Sequence, residues 1–333
     1  MKVIVDGMGG DHAPYEIVKG SVEAALEYDI DISLIGDDKL LRKELKNLGA
    51  PINRFNIIHT SQVITMEDSP VRAIKNKKDS SMVKGFELLR EDPSRVFISA
   101  GSTGALMAGG LLKVGRIKGI DRPALAPVLP NRKGNNLLID AGANTEVKPI
   151  NLEQFAVMGS IYMESVLGIE NPSVGLINVG VEESKGNEVY KTAYKLLKQI
   201  KSINFIGNIE ARDIPSGLVD VVVCDGFTGN IVLKYTEGLA SNLFGMLREE
   251  MVKTPIRKIG ALLIKPGLKG FKNKLDYSET GGAPLLGING GIIKAHGSSN
   301  ANAIKNAIRQ GKIFTDNEVL KSIKDSISLL REE

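Results

Sequence analysis

Six short segments of this chain combine glycine with Ser, Thr, Asn, Asp, His or Lys, each close behind a short apolar run. They are Asp6-Gly7-Met8-Gly9-Gly10-Asp11-His12, Ser99-Ala100-Gly101-Ser102-Thr103-Gly104-Ala105, Asp140-Ala141-Gly142-Ala143-Asn144, Asn178-Val179-Gly180 running on to Lys185-Gly186-Asn187, Asp225-Gly226-Phe227-Thr228-Gly229-Asn230 and Ala295-His296-Gly297-Ser298-Ser299-Asn300. Glycine lets backbone N–H groups approach an anion, and a helix starting just beyond adds positive potential. Any one such segment is more often only a tight turn. Six at strand ends point to a site for an anionic ligand, with the Gly101–Ala105 turn as the best phosphate cradle. The candidate binding residues are Asp11, His12, Gly101, Ser102, Thr103, Gly104, Asp140, Asn144, Asp225, Gly226, His296 and Ser298.

Familiar chemical motifs fail here. Gly7-x-Gly9 begins like a dinucleotide fingerprint, but His12 stands where that fingerprint has Gly or Ala. There is no Walker A loop and no His-Glu-x-x-His helix, and the turn at Gly101 lacks the spacing of a serine nucleophile elbow. His12, His59 and His296 are far apart, so no local metal or triad pattern forms; His59 ends a strand and reads as structural. The single cysteine, Cys224, excludes an internal disulfide and reads as a small buried residue. An activated Ser or Cys is dispensable if phosphate is itself the nucleophile. Positive groups, oxyanion donors and orientation then suffice, because a thiol leaving group with a pKa near ~8.5 needs little acid help.

The elements that must position these loops alternate. Apolar runs at 3–5, 32–35, 55–58, 96–98, 137–139, 174–177, 204–206 and 219–223 are short, as buried strands are, and helical patterns lie between them. The rhythm predicts a largely parallel sheet with helices on both faces, and one large α/β unit over residues 1–333. Thr315 and Glu318 have capping-box spacing ahead of a last helix. Residues 231–280 read as a helical excursion broken by Pro255, Pro266 and Gly267. Seven basic residues and no acid lie between Lys253 and Lys274, although the net charge is only +4, so a mildly acidic body carries one basic patch. A 42% hydrophobic content gives a sizeable core, and no run approaches a membrane span. The strand-like start lacks the pattern of a signal peptide, so a cytosolic protein is expected. Without Trp and with few aromatics, nucleobase stacking is excluded as a main activity.

Taken in order, the loops resemble the bacterial acyl-ACP:phosphate acyltransferase family of phospholipid synthesis. Glu67-Asp68-Ser69-Pro70, Lys77-Lys78-Asp79-Ser80-Ser81-Met82 and Gly281-Gly282-Ala283 extend the match along nearly the whole chain. The resemblance implies a fold similar to isocitrate/isopropylmalate dehydrogenases and a homodimer without redox cofactor or metal. It implies transfer of a fatty acyl group from acyl carrier protein to inorganic phosphate, feeding a downstream glycerol-3-phosphate acyltransferase. By motif, Lys185 and Asn230 look like the essential pair, Lys185 for phosphate or the oxyanion and Asn230 for orienting the carbonyl or phosphate. The competing readings are a solvated lysine and a helix cap. Ser102 departs from the Asn usual at its place, which puts in doubt any role needing an amide there. Ile259, Leu262, Leu263 and Ile264, ringed by lysines, suit a peripheral contact with anionic lipid, against packing in a dimer or contact with an acidic carrier. The rival functions are an NAD(P)-dependent dehydrogenase of the related fold and a non-catalytic acyl-carrier or membrane scaffold.

Overall fold

The computed structural model describes residues 2–275 and 281–330. Its strands are β1 (Lys2–Asp6), β2 (Asp31–Gly36), β3 (Phe55–His59), β4 (Val96–Ser99), β5 (Ala124–Leu125), β6 (Val128–Asn131), β7 (Gly134–Ile139), β8 (Ser173–Ile177), β9 (Asn204–Ile209), β10 (Val221–Val223), β11 (Ala283–Leu286) and β12 (Gly291–Lys294). Its helices are α1 (Tyr15–Tyr28), α2 (Asp38–Asn47), α3 (Pro70–Asn76), α4 (Ser81–Glu91), α5 (Thr103–Gly109), α6 (Pro149–Leu167), α7 (Glu188–Gln199), α8 (Gly226–Met251), α9 (Pro255–Leu275), α10 (Ala301–Asp316) and α11 (Val319–Leu329).

Among the described residues the strands form two sheets, ordered β3-β2-β1-β4-β12-β11-β5 and β6-β7-β10-β8-β9. β11 runs antiparallel to β12 and β5, and β6 antiparallel to β7; the other pairings are parallel. In the first sheet Val3 and Val5 join a buried cluster with Val18 of α1 and Ile304 of α10, whereas Ile4 joins another with Phe86 of α4 and Leu106 of α5. Alternate residues of a strand point to opposite faces, so helices cover both faces and the strand reads as a continuous apolar run. The second sheet has a core of its own, where Leu137, Ile139 and Val222 meet Phe155 and Tyr162 of α6.

Several expectations change. The polar loops are divided between two sheets rather than gathered on one. Thr315 does not cap the last helix: it lies within α10, and its hydroxyl donates back to the carbonyls of Gly311 and Lys312 (3.2 and 3.0 Å). Glu318, at φ +50°, precedes α11 instead, without a side-chain cap. Pro255 opens α9, where a missing N–H is harmless. Pro266 and Gly267 lie within α9 and do not end it. Of the residues expected to form an excursion, those up to 275 lie in α8 and α9 and the turn between them, and the Phe244 and Phe271 rings of the two helices meet at 5.9 Å; residues 276–280 lie outside the described residues.

Candidate active site

β1, β4 and β12 are neighbours in the first sheet, and β7, β10 and β8 in the second, so each sheet brings three polar loops to its carboxyl edge. Loops from both sheets line one cleft of about 630 Å³. The first sheet contributes Thr103, Gly104, Lys294, His296 and Ser298; the second contributes Ala141, Gly142, Gly226, Phe227 and Asn230. Met107, Leu125, Val128, Leu129 and Leu233 add an apolar stretch to the same cleft. Ligands of open α/β sheets bind beyond the carboxyl ends of strands, as here.

The second-sheet wall is built around Asp140, directly after β7 and fully buried. Its carboxylate accepts from the N–H groups of Leu125 (3.1 Å), Ala143 (2.9 Å) and Asn144 (2.7 Å) and from Asn144 Nδ2 (2.9 Å). Burial pushes its pKa up to about 6 against the pull of these four donors. Asn144 also donates to Pro123 O (2.7 Å) and accepts from Gly226 N–H (2.7 Å), fixing where α8 starts. Asp225 caps that helix, accepting from Thr228 N–H (2.8 Å) and Thr228 Oγ1 (2.9 Å) and from the buried Tyr190 hydroxyl. A Cβ on Gly229 would lie 1.9 Å from Asp140 O, so only glycine lets α8 approach β7 this closely. The exposed Asn230 follows, its amide beside Gly142. Cys224 is buried and donates to Asp140 O (3.3 Å), and burial holds its thiol well above the usual range.

On the first-sheet wall, Ser99 Oγ donates to the buried Asp6 (2.7 Å) and accepts from Gly101 N–H (3.0 Å). Burial raises the Asp6 pKa. Ser102 is itself buried, and its hydroxyl accepts from Ala105 N–H (3.4 Å), so it serves as a helix cap. Asp11 N–H donates to Gly297 O (2.8 Å), joining the first and last loops. Ser298 N–H donates to His296 Nδ1 (3.2 Å), which places the ring proton of a neutral His296 on Nε2; Ser298 Oγ lies 2.8 Å from the same nitrogen. Partial burial lowers the His296 pKa. Lys294, the last residue of β12, is buried, donating to Ala100 O (3.4 Å) and Ala295 O. Desolvation lowers its pKa to about 8.

The structure therefore brings Thr103, Gly104, Gly226, Asn230, His296 and Ser298 to the cleft. Gly101, Ser102, Asp140, Asn144 and Asp225 stand behind them as supports. Asp11 and His12 are exposed and do not line the cleft. Nor does Lys185, which is exposed in the loop after β8, held by Lys185 N–H to Glu182 O (3.1 Å) and Asn178 Nδ2 to Lys185 O (3.2 Å). Ile259, Leu262, Leu263 and Ile264 are all exposed on α9, Leu263 at 78%. His59 Nδ1 accepts from Asp38 N–H (3.2 Å) and does not line the cleft. Sequence reasoning missed Lys294 because it missed β12. The signal was a lysine closing the Gly291-Ile292-Ile293 run just before the His296 loop. Among the described residues no three His, Cys, Asp or Glu side chains are grouped to hold a metal ion, and no helix is long and apolar enough to cross a membrane.

Residues 1–322 match the model of a family described as fatty acid synthesis protein. A phosphate acyltransferase from Alkaliphilus oremlandii (strain OhILAs) is 57% identical, covering 100% of this chain and 99% of its own. Among solved structures, a phosphotransacetylase from Streptococcus pyogenes superposes with a TM-score of 0.65 at 17% identity, over 96% of this chain and 94% of the other. A 4-hydroxythreonine-4-phosphate dehydrogenase from Klebsiella pneumoniae does so with a TM-score of 0.50 at 14% identity, over 95% and 99%. The architecture is that of the isocitrate/isopropylmalate dehydrogenase-like α/β proteins.

Proposed function

The chain belongs to the phosphate acyltransferase family and is an enzyme of acyl transfer involving phosphate; from that premise we propose that it moves a fatty acyl group from acyl carrier protein to inorganic phosphate. The observation that carries this reading is the mixed character of the cleft. Lys294, His296, Ser298 and Asn230 share it with Met107, Leu125, Val128, Leu129 and Leu233. The polar end suits phosphate and the reacting carbonyl, and the apolar stretch suits an acyl chain.

A phosphate oxygen attacks the thioester carbonyl carbon, the carbon–sulfur bond breaks, and the carrier thiolate leaves and takes a proton from solvent. Acyl phosphate and free carrier protein result. No acyl-enzyme is needed, and the buried, protonated Cys224 offers no nucleophile. Asn230 orients the carbonyl or phosphate. Lys185, exposed on a neighbouring loop of the same sheet edge, meets phosphate or the developing oxyanion once the carrier is seated. The reading requires no redox cofactor.

Two surfaces support the remaining assignments. Along α8, Phe227, Ile231, Tyr235, Leu239, Leu243 and Leu247 are exposed four residues apart, an apolar stripe suited to a second copy of the chain. On α9, exposed Ile256, Ile259, Leu262 and Leu263 lie among Arg257, Lys258 and Lys265, as in helices that rest on anionic lipid. A cytoplasmic enzyme working peripherally at the membrane could hand its poorly soluble product directly to a glycerol-3-phosphate acyltransferase.

Purified protein given acyl carrier protein loaded with a fatty acyl group should release thiol only when phosphate is present, with a product trapped by hydroxylamine. Thiol release independent of phosphate would overturn the reading. Lys185→Ala should abolish turnover without unfolding the chain; full activity removes Lys185 from the mechanism. Leu263→Glu should weaken binding to phosphatidylglycerol vesicles and leave turnover on soluble substrate intact. Unchanged vesicle binding returns α9 to the dimer interface.

A further inference from the structure

We propose that Lys294 is the cation that binds inorganic phosphate in the cleft, its ammonium pairing with a phosphate oxygen and holding the anion beside the acyl carbonyl. This rests on the acyl-transfer reading for its purpose, but the binding claim can be tested without turnover.

The argument begins with position. β12 lies between β4 and β11, and Lys294 is in register with Ser99 on one side and Ala283 on the other. That places it at the carboxyl edge of the first sheet, below the turns that carry Gly101 to Gly104 and His296 to Asn300. It lines the cleft while being only 8% exposed.

Its partners are the second observation. An ammonium has three donors, and the oxygens bonded to Lys294 Nζ are the uncharged carbonyls of Ala100 and Ala295. Among the described residues it makes no ion pair; Asp6 and Asp11 act on it only through longer-range attraction. The other lysine lining the cleft, Lys234, is exposed and already paired with Glu237 at 2.8 Å. A buried ammonium without a carboxylate is costly unless an anion completes it. Because the folded chain has already stripped water from this ammonium, pairing with phosphate requires little further reorganisation. Desolvation lowers the Lys294 pKa to about 8, so the group is still charged at neutral pH.

The test is calorimetric titration of inorganic phosphate into the full-length protein without acyl donor, comparing the native chain with Lys294→Met. Loss of a charge-assisted bond should weaken phosphate about tenfold or more. In steady-state turnover the phosphate KM should rise by a similar factor while the acyl-donor KM holds. Unchanged phosphate affinity in a folded Lys294→Met protein, or no phosphate binding by the native chain, overturns the proposal. Should the variant not fold, sulfate binding to the native chain decides. Sulfate does not titrate in this range, and the charged groups facing Lys294 are Asp6 of β1, Asp11 beyond it, Lys234 and Glu237 of α8, and His296. Lys294 should lose its charge as pH rises through about 8, so sulfate affinity should fall by up to about tenfold per pH unit above it. A flat profile overturns the proposal. Phosphate binding that depends on Lys294 in a protein without acyl transfer sinks the acyl-transfer reading and leaves the Lys294 site standing.

Discussion

On the wall carried by β7 and β10, Asp140, Asn144 and Asp225 are engaged by backbone donors, by Thr228 or by Tyr190, and what faces the cleft is the exposed Asn230 with its glycine neighbours and, further along α8, Lys234 already paired with Glu237. On the wall carried by β4 and β12 the cleft meets Lys294 and His296, one bonded, among the described residues, only to uncharged carbonyls and the other exposed with its Nδ1 turned to Ser298. The same kind of loop therefore serves two ends. One wall uses its polar side chains to fix the start of a helix, and the other keeps its charge available to an anion. Catalysis by preorganised dipoles needs both: geometry that does not relax, and charge that has not been neutralised.

The largest effect should come from breaking the rigid wall. Asp140→Ala strands the buried Leu125 N–H, at about 1–3 kcal/mol, and three part-buried donors besides, so stability should fall by about 2 kcal/mol or more in urea denaturation. A loss below about 1 kcal/mol would mean that Asp140 is not the strut of this wall. The pH dependence sharpens the point. A carboxyl whose folded pKa is raised from 3.8 to about 6 contributes stability that is present below about pH 4 and is lost as pH rises through about 6. Asp140→Asn should remove that slope from the denaturation midpoints.

Next comes Asn230, an exposed side chain on the same wall. Asn230→Ala should lower turnover by about 10²–10³-fold if the amide orients the reacting group, with stability changed by less than about 0.5 kcal/mol. A comparable loss of stability would make it one more support like Asp140. Tyr190→Phe is smaller: it removes one hydroxyl from Asp225 and should cost about 1 kcal/mol. Turnover that falls with stability unchanged would show that α7 steers Asn230 through Asp225 during the reaction.

Five of the six polar glycine loops were legible because each follows a strand whose apolar run is continuous, as a strand buried on both faces requires. What the sequence did not disclose was their division between two walls. Strands such as Val3–Val5 and Leu137–Ile139 look alike in sequence, and it is the pairings of β1 with β4 and of β7 with β10 that separate them. Lys294 stayed hidden for a related reason. Gly291–Lys294 offers only two apolar residues between a glycine and a lysine, and its burial follows from the partner strands on either side. Ser102 was read as a possible ligand, yet its hydroxyl caps α5; a serine ahead of a helix start is an equally good cap in sequence. The Thr315–Glu318 spacing misled because α10 continues past Thr315 once its apolar face is packed against the first sheet.

The smallest expected effect tests whether the charged wall also supplies a nucleophile. Ser298 Oγ lies 2.8 Å from His296 Nδ1, the contact by which a serine could be activated to form an acyl-enzyme. Two features argue against that use. The Ser298 N–H donates to the same nitrogen, and the pair lies within one turn, two residues apart, so the contact closes the loop on itself. Direct attack by phosphate therefore predicts that Ser298→Ala alters turnover by less than about tenfold, the scale of one neutral hydrogen bond. The kinetics should stay sequential, with no acyl group retained on the protein when phosphate is withheld. A collapse of turnover together with a burst of carrier thiol in the native chain would move the nucleophile from phosphate to Ser298. The contrast between a supporting wall and a charge-bearing wall would then have to be redrawn around a covalent step.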